Sequence, residues 1–288
     1  MAELNQTDTQ HTSRALELAR RGLGMVSPNP LVGCVIVSPN GEVVGEGAYI
    51  KDDVTHAEII ALMESGTKAI GGTAYCSLEP HDHHGKTPPC TEALINAGIK
   101  RVVCPIEDPN PLVSGKGFER LREAGIEVSV GNLADEATKL NEKFICWHKK
   151  GRPFVHLKLA MSLDGRISLN KSVSTALSGE AARNRVQELR HEHDAILVGS
   201  NTAFTDNPIL TDRSGLPRRR ALARIVLDNR LRLPLDSILA TTTDEAPTLV
   251  FTNNIDPPTV RKLQNTGVEV IPIPGGARNI VAVMDELR

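Results

Sequence analysis

The chain has 288 residues, of which 40% are hydrophobic and 24% are charged, and its formal net charge at pH 7 is −2. This composition predicts a globular protein with a substantial core, and the near-neutral charge argues against nucleic acid or a membrane surface as a partner. The five cysteines are odd in number and scattered, so they predict no disulfide framework and favour a reducing, cytoplasmic environment.

The first part of the chain, residues 1–150, is predicted to form one α/β domain. Its N-terminal residues, MAELNQTDTQHTSR, are polar and predict no signal peptide, and no apolar run approaches the length of a membrane span. Asn40-Gly41 is the strongest hairpin signal in the chain. The predicted elements are helix 12–23, strands 32–37 and 42–48, helix 56–63, strand 73–78, helix 89–97, strand 101–105, helix 117–124, strand 126–130 and helix 134–147. This order predicts a mixed sheet between helices.

Gly151-Arg152-Pro153 breaks the pattern and predicts a domain boundary, so that a second α/β domain covers residues 151–288. Its predicted elements are strand 154–159, helix 179–191, a buried strand 194–199, strands 224–228 and 248–252, helix 257–265, strand 268–273 and helix 277–287. No G-x-G-x-x-G follows a strand in this half, so the dinucleotide-binding fingerprint is absent.

Two segments of the first half carry donors for a metal ion. His56-Ala57-Glu58 stands at a predicted helix start, and CSLEPHDHHGKTPPC, residues 76–90, combines three histidines with Cys90. Zinc deaminases pair an H-x-E element with a later cysteine-containing helix start, and their glutamate shuttles protons without binding the metal. Zinc held by three protein ligands keeps a fourth position for water. The residues alone leave open which histidines are ligands and whether the metal is structural or catalytic.

These segments and several others, taken in order, resemble the bifunctional deaminase–reductase family of riboflavin biosynthesis. The segments that carry the resemblance are SPNPLVG at 27–33, HAE at 56–58, LEP at 78–80, HGKTPPC at 84–90, DPNPLV at 108–113, LNEKF at 140–144, KLAMSLDG at 158–165, AILVG at 195–199 and DNP at 206–208. The resemblance implies a cytidine-deaminase-like αβα domain followed by a dihydrofolate-reductase-like α/β domain. Since the family continues beyond the point that corresponds to Arg288, it also implies that the second domain is C-terminally incomplete.

For the first domain, the resemblance implies Zn²⁺ held by His56, His81 and Cys90, with Glu58 as the catalytic proton shuttle. His81 stands where the family has a cysteine, and His83 or His84 remain alternative ligands. The implied substrate contacts are Asn29 and Lys86. The implied reaction is hydrolysis of the 2-amino group of 2,5-diamino-6-ribosylamino-4(3H)-pyrimidinone 5′-phosphate, with release of ammonia.

For the second domain, the resemblance implies NADPH and reduction of the ribose of the deaminated product to a ribityl chain. The implied cofactor contacts are Ala160, Thr202, Asp206 and Asn229, and the implied substrate contacts are Ser174, Arg190, Leu210 and Arg213. Ala176 stands where the family has a tryptophan. The resemblance also implies a homo-oligomer.

Two alternatives remain open at this point. A relative with an impaired deaminase could serve as a binding or assembly module, because His81 departs from the family's ligand set. A base deaminase of other specificity is the second alternative; one acting on nucleic acid would need a basic channel with stacking aromatic residues. The aromatic content of 3% and the absence of a basic run near the motif argue against that form.

Overall fold

The computed structural model describes residues 6–50, 55–85, 87–170 and 175–288. The chain separates into two compact units, Met1–Phe154 and Val155–Arg288, which are described in turn. Among the described residues, no helix combines the length and apolar character needed to cross a membrane.

The first unit is a five-stranded mixed sheet with helices on both faces. Its elements are α1 (Gln6–Arg20), β1 (Gly33–Val37), β2 (Val43–Ala48), α2 (Ala57–Ser65), β3 (Thr73–Cys76), α3 (Cys90–Asn96), β4 (Arg101–Cys104), α4 (Lys116–Glu123), β5 (Glu127–Val130), α5 (Ala134–Leu140) and α6 (Glu142–Lys150). The strand order is β2-β1-β3-β4-β5. Strand β1 is antiparallel to β2 and β3, while β3, β4 and β5 run parallel.

Strand β1 is buried along its whole length because both faces of the sheet are covered. Val35 and Val37 face a cluster that includes Ala15 and Leu18 of α1. The alternate residues, including Cys34, face a larger hydrophobic cluster that contains residues of α2 and α3. This is the period-two alternation of a strand between two helical layers.

Glycines let helix α2 approach the sheet closely. A Cβ on Gly47 of β2 would lie 1.9 Å from the carbonyl oxygen of Ala57, and a Cβ on Gly45 would lie 2.1 Å from that of Ala61. Either contact is far below van der Waals distance, so a side chain at these positions would push α2 away. Gly45 and Gly47 therefore allow the start of α2, which carries the H-x-E motif, to lie close against β2.

Helix α1 is tied to the sheet by an ion pair whose carboxylate is buried. Asp8 is 1% exposed, and its carboxylate accepts two hydrogen bonds from the Arg101 guanidinium, at 2.7 and 3.0 Å. The Tyr75 hydroxyl donates to the same carboxylate at 2.9 Å, and burial raises the pKa of Tyr75 to about 12. The two hydrogen bonds from Arg101 and the third from Tyr75 together compensate the buried negative charge of Asp8.

The second unit contains a four-stranded parallel sheet in the sequential order β6-β7-β8-β9. Its elements are α7 (Glu180–His191), β6 (Ala195–Gly199), α8 (Ser200–Asp206), β7 (Ala223–Leu227), α9 (Ile238–Thr241), β8 (Thr248–Thr252), α10 (Pro257–Gln264), β9 (Glu269–Pro272) and α11 (Ile280–Glu286). Val226 and Val250 pack towards one helical layer and Ile225 and Phe251 towards the other. Helices therefore cover both faces of β7 and β8.

Several predicted elements differ from the structure. The predicted helix 134–147 is two helices, because the Asn141 side chain turns inward and pairs with both the N–H and the carbonyl of Leu31, at 2.8 and 3.0 Å. The predicted last helix 277–287 begins with a 3₁₀ turn, Gly276–Arg278, after which Asn279 caps α11 by accepting from Ala282 N–H.

The predicted strand 154–159 does not form. Among the described residues, no strand pairs with this segment, and an extended chain without a ladder partner is not a strand. Its sequence alternates apolar and polar residues, but burial does not follow this pattern: residues 155–159 are all exposed, Leu157 and Leu159 by 77% and 66%. The prediction that strand 194–199 is buried was also wrong: the residues of β6 alternate between exposed and half-buried, because within the described chain β6 pairs only with β7.

Candidate active site

Three elements of the first unit bring His56, His81 and Cys90 together. His56 precedes the first residue of α2, Cys90 is the first residue of α3, and His81 lies in the loop that follows β3. One ligand atom from each residue lies within 4.8 Å of the others. The Nδ1 atom of His56 is 3.4 Å from the Cys90 thiol, and the rings of His56 and His81 are 4.6 Å apart between centroids.

Glu58 lies beside this cluster in the first turn of α2. Its side chain is 3% exposed, and its carboxylate is within hydrogen-bond reach of the Cys90 thiol. Its Oε2 atom is buried without a hydrogen-bond partner among the described residues. Burial raises the pKa of Glu58, and the nearby His56 opposes this shift. A buried oxygen with no protein partner is suited to a small polar ligand such as water.

The donor set fits a zinc ion. Burial, with further contributions from His56 and His83, lowers the pKa of His81 to about 4, so its imidazole is neutral at neutral pH, as metal binding requires. Burial raises the pKa of the Cys90 thiol, a cost that a bound cation offsets by stabilising the thiolate. Imidazole and thiolate are both zinc ligands, and three of them leave one position free.

Of the other residues predicted to act in this domain, Asn29, His83 and His84 lie among the described residues. Asn29 is exposed, and its amide Nδ2 donates to the Tyr49 hydroxyl at 2.7 Å. The Tyr49 ring lies 5.4 Å from that of His56 in an edge-on arrangement. His83 stacks edge-on against His81 at 5.1 Å. His84 lies 3.7 Å from Glu92. Lys86 lies outside the described residues.

In the second unit, Arg190, Leu210 and Arg213 lie in one neighbourhood. Arg190 Nη1 donates to the carbonyl of Thr211 at 2.9 Å, and Arg213 N–H donates to the Gln187 side chain on α7 at 3.0 Å. The Nε atom of Arg190 is buried without a partner among the described residues. Burial and the charge of Arg213 lower the pKa of Arg190. Asp212 partly offsets these two positive charges, but among the described residues neither arginine forms an ion pair with a carboxylate, which favours an anion such as phosphate.

The predicted cofactor contacts lie mainly where parallel strands end. Thr202 and Asp206 are exposed and one turn apart on α8, which follows β6, and Asn229 follows β7. Adjacent carboxyl ends of parallel strands are where α/β sheets bind cofactors. The Asn229 Oδ1 atom accepts from Ala277 N–H at 2.6 Å, which leaves its NH₂ group for a ligand. Ala160 is half-buried in the extended segment before α7, and Ser174 lies outside the described residues.

Comparison with known proteins matches both halves of the chain. Residues 5–106 match the family model described as "Cytidine and deoxycytidylate deaminase zinc-binding region", and residues 153–288 match "RibD C-terminal domain". The riboflavin biosynthesis protein RibD of Actinobacillus pleuropneumoniae is 44% identical over 265 residues, which are 92% of this chain and 70% of that protein. The chain belongs to the RibD family.

Two further RibD relatives are similar to this chain over nearly its whole length. The RibD of Aquifex aeolicus is 43% identical over 285 residues, 99% of this chain and 79% of that protein. A crystal structure from Thermotoga maritima, described as a "diaminohydroxyphosphoribosylaminopyrimidine deaminase/ 5-amino-6-(5-phosphoribosylamino)uracil reductase", has a TM-score of 0.86 at 37% identity. The match covers 98% of this chain and 77% of that one.

Membership of the RibD family confirms the predicted fold class and activity. The chain is an enzyme of riboflavin biosynthesis with a zinc-binding deaminase domain followed by an NADPH-dependent reductase domain. The alternatives of a non-catalytic binding module and of a base deaminase of other specificity are not favoured by this result.

Two residues near the RibD deaminase site were missed by sequence analysis. Tyr49, whose hydroxyl accepts a hydrogen bond from Asn29, follows β2 and was given no role in the sequence analysis. Glu79 is 3% exposed and its carboxylate accepts four backbone N–H groups, those of Asp108, Gly115, Gly117 and Phe118, at 2.9 to 3.3 Å. A buried acid in the L-E-P motif could have signalled this anchor, but its partners lie 29 to 39 residues away.

Proposed function

We propose that the deaminase domain holds zinc through His56, His81 and Cys90 and hydrolyses the 2-amino group of 2,5-diamino-6-ribosylamino-4(3H)-pyrimidinone 5′-phosphate. The observation that carries the proposal is the convergence of the three donor atoms within 4.8 Å, beside a buried carboxylate. The Thermotoga maritima relative, whose description names this class of aminopyrimidine, supports the substrate. The reaction consumes one water, replaces C–NH₂ by C–OH, which tautomerises to C=O, and releases ammonia.

Glu58 is the proposed proton shuttle. Bound zinc would acidify a water molecule, so that a hydroxide nucleophile is available near neutral pH. Glu58 Oε2 takes up the proton and returns it to the departing amine. Its raised pKa supports both halves of this task, because the protonated form is then accessible as a general acid. Asn29 contacts the pyrimidine, and Lys86 contacts the substrate phosphate.

For the reductase domain, we propose that Arg190 and Arg213 bind the 5′-phosphate of the deaminated product. Ser174 and Leu210 are the remaining substrate contacts. Ala160, Thr202, Asp206 and Asn229 would hold NADPH, which would supply the hydride for reduction at the ribose C1′ to the ribityl chain. The Nε atom of Arg190, which has no partner within the described ranges, and the neighbouring positive charge of Arg213 support the phosphate site.

We also propose that the protein is a homo-oligomer in the cytoplasm and that its partners are small molecules, not nucleic acid or membranes. The segment from Val155 to Leu169 exposes several large apolar side chains, which a second copy of the chain could cover. The five cysteines are free thiols, as expected in a reducing compartment.

The test combines metal content with turnover on the purified chain. We expect about one zinc per chain by mass spectrometry, and ammonia release from the phosphorylated diaminopyrimidine. His56→Ala and Cys90→Ser should each remove both zinc and ammonia release. Native protein that carries no zinc and gains none on addition of the metal would contradict the proposal.

A further inference from the structure

The two ring nitrogens of His56 face different groups. Nδ1 lies 3.4 Å from the Cys90 thiol, on the side of the proposed metal. Nε2 lies 3.4 Å from the hydroxyl oxygen of Thr87. A neutral imidazole carries one N–H and one lone pair, so the atom bonded at Nε2 determines which nitrogen is free to bind a metal.

The backbone of Pro88 also acts on the His81 ring. Because proline has no N–H, the group concerned is the Pro88 carbonyl, and it raises the pKa of His81 against the larger lowering effect of burial. Metal-bound histidines usually donate their second N–H to such an oxygen, which fixes the tautomer and the ring orientation.

Thr87, Pro88 and Cys90 belong to one short stretch of chain, the end of the loop before α3. The stretch that carries the Cys90 thiol therefore also places an oxygen near each imidazole. The Thr87 hydroxyl is a half-buried side-chain group in a loop, and it contacts a histidine that is proposed above as a metal ligand.

We propose that Thr87 is a positioning residue of the metal site: its Oγ1 accepts the Nε2–H of His56 and thereby holds Nδ1 as the ligand atom. This inference rests on the proposed zinc site. It assigns a role to the threonine of the K-T-P-P-C segment that sequence analysis left without one. The reverse arrangement, in which the hydroxyl donates to Nε2, would put the proton on Nδ1 and block the metal.

The test compares Thr87→Val, which keeps the shape and removes the oxygen, with Thr87→Ser, which keeps the oxygen. We expect Thr87→Val to weaken zinc affinity by about 10- to 100-fold in competition with a chromophoric chelator, and Thr87→Ser to retain most of it. Thr12→Val is the matched control, because Thr12 is buried on α1 and its hydroxyl accepts from Asn132. This variant should leave zinc affinity unchanged even if it lowers stability.

A second measurement reads the tautomer directly. In ¹⁵N-histidine-labelled, zinc-loaded protein, long-range ¹H–¹⁵N correlation spectra should show His56 protonated at Nε2, with the Nδ1 shift of a metal-bound nitrogen. A proton on Nδ1, or native zinc affinity in Thr87→Val, would overturn the inference while the zinc site itself stands. If native protein binds no zinc at all, the proposed function fails, and the inference fails with it.

Discussion

Glu58 combines two properties that a proton shuttle needs, a buried carboxyl group and an oxygen that has no hydrogen-bond partner in the described part of the chain. We expect Glu58→Gln to lower the rate of deamination by about 10²- to 10⁴-fold, because an amide cannot accept and return the proton. Zinc content should not fall, because Glu58 is not a proposed ligand. The measurement is ammonia release together with zinc stoichiometry; loss of zinc in this variant would indicate a ligand role instead.

His81 introduces a second imidazole into the cluster. We expect His81→Ala to weaken zinc affinity by about 100-fold or more, since one of three ligands is lost. We expect His81→Cys to keep the metal. In cobalt-substituted protein, His81→Cys should about double the thiolate-to-metal charge-transfer absorbance, because two thiolates then replace one. Unchanged absorbance would mean that residue 81 is not a ligand.

The sequence pattern and the family resemblance pointed to His56, His81 and Cys90 as a group, and the structure brings these three side chains together, but the sequence did not indicate how each is held. The spacing of His56 and Glu58, and the position of Cys90 at a helix start, follow from local patterns and from family resemblance. Tyr49 and Thr87 could not be assigned in this way, because their partners, Asn29 and His56, lie 20 and 31 residues away. Such contacts depend on how strands and loops meet in three dimensions.

At the scale of elements, the loop after β4 is held to the end of β3 by Glu79, and this places Asp108 in a buried position, 8% exposed. Burial, with a contribution from Glu79, raises the pKa of Asp108 to about 6, above its ordinary value of 3.8. The folded state therefore binds the proton more tightly than the unfolded state. It follows that stability falls as pH rises from about 4 through about 6.

Asp108→Asn removes this ionisation and keeps an oxygen to accept from Asn110 N–H, a contact of 2.8 Å in the native chain. We expect the variant to be more stable than the native protein at pH 8, by about 2–3 kcal/mol. Its advantage should be smaller by about 1 kcal/mol at pH 5, where the native carboxyl is mostly protonated in the fold. Urea unfolding at the two pH values measures this difference. An advantage that did not depend on pH would contradict the assigned pKa.

Most helices and strands could be predicted because hydrophobic periodicity and turn residues specify them locally. The errors arose where a distant contact decides the outcome. Asn141 divides a helix because it pairs with Leu31, 110 residues earlier in the chain. The segment 154–159 has the alternation of a strand, but alternation cannot supply the neighbouring strand that a ladder requires.

At the scale of the whole molecule, the two proposed sites are built from different units, and no described residue is assigned to both. We therefore expect the two activities to respond to separate mutations. Arg190→Met should raise the KM of the reductase for its phosphorylated substrate by about 10- to 100-fold, the equivalent of one or two charge-assisted hydrogen bonds. Ammonia release and zinc content should stay at native values.

Arg183→Met is the matched control, because Arg183 is an exposed arginine on the same helix, α7, and donates only to the carbonyl of Ser178 among the contacts described. The decisive comparison is the double variant Glu58→Gln, Arg190→Met. If the sites act independently, its loss in each assay equals the loss of the corresponding single variant. A reductase loss in Glu58→Gln, or a deaminase loss in Arg190→Met, would instead show that the two activities are coupled through the protein.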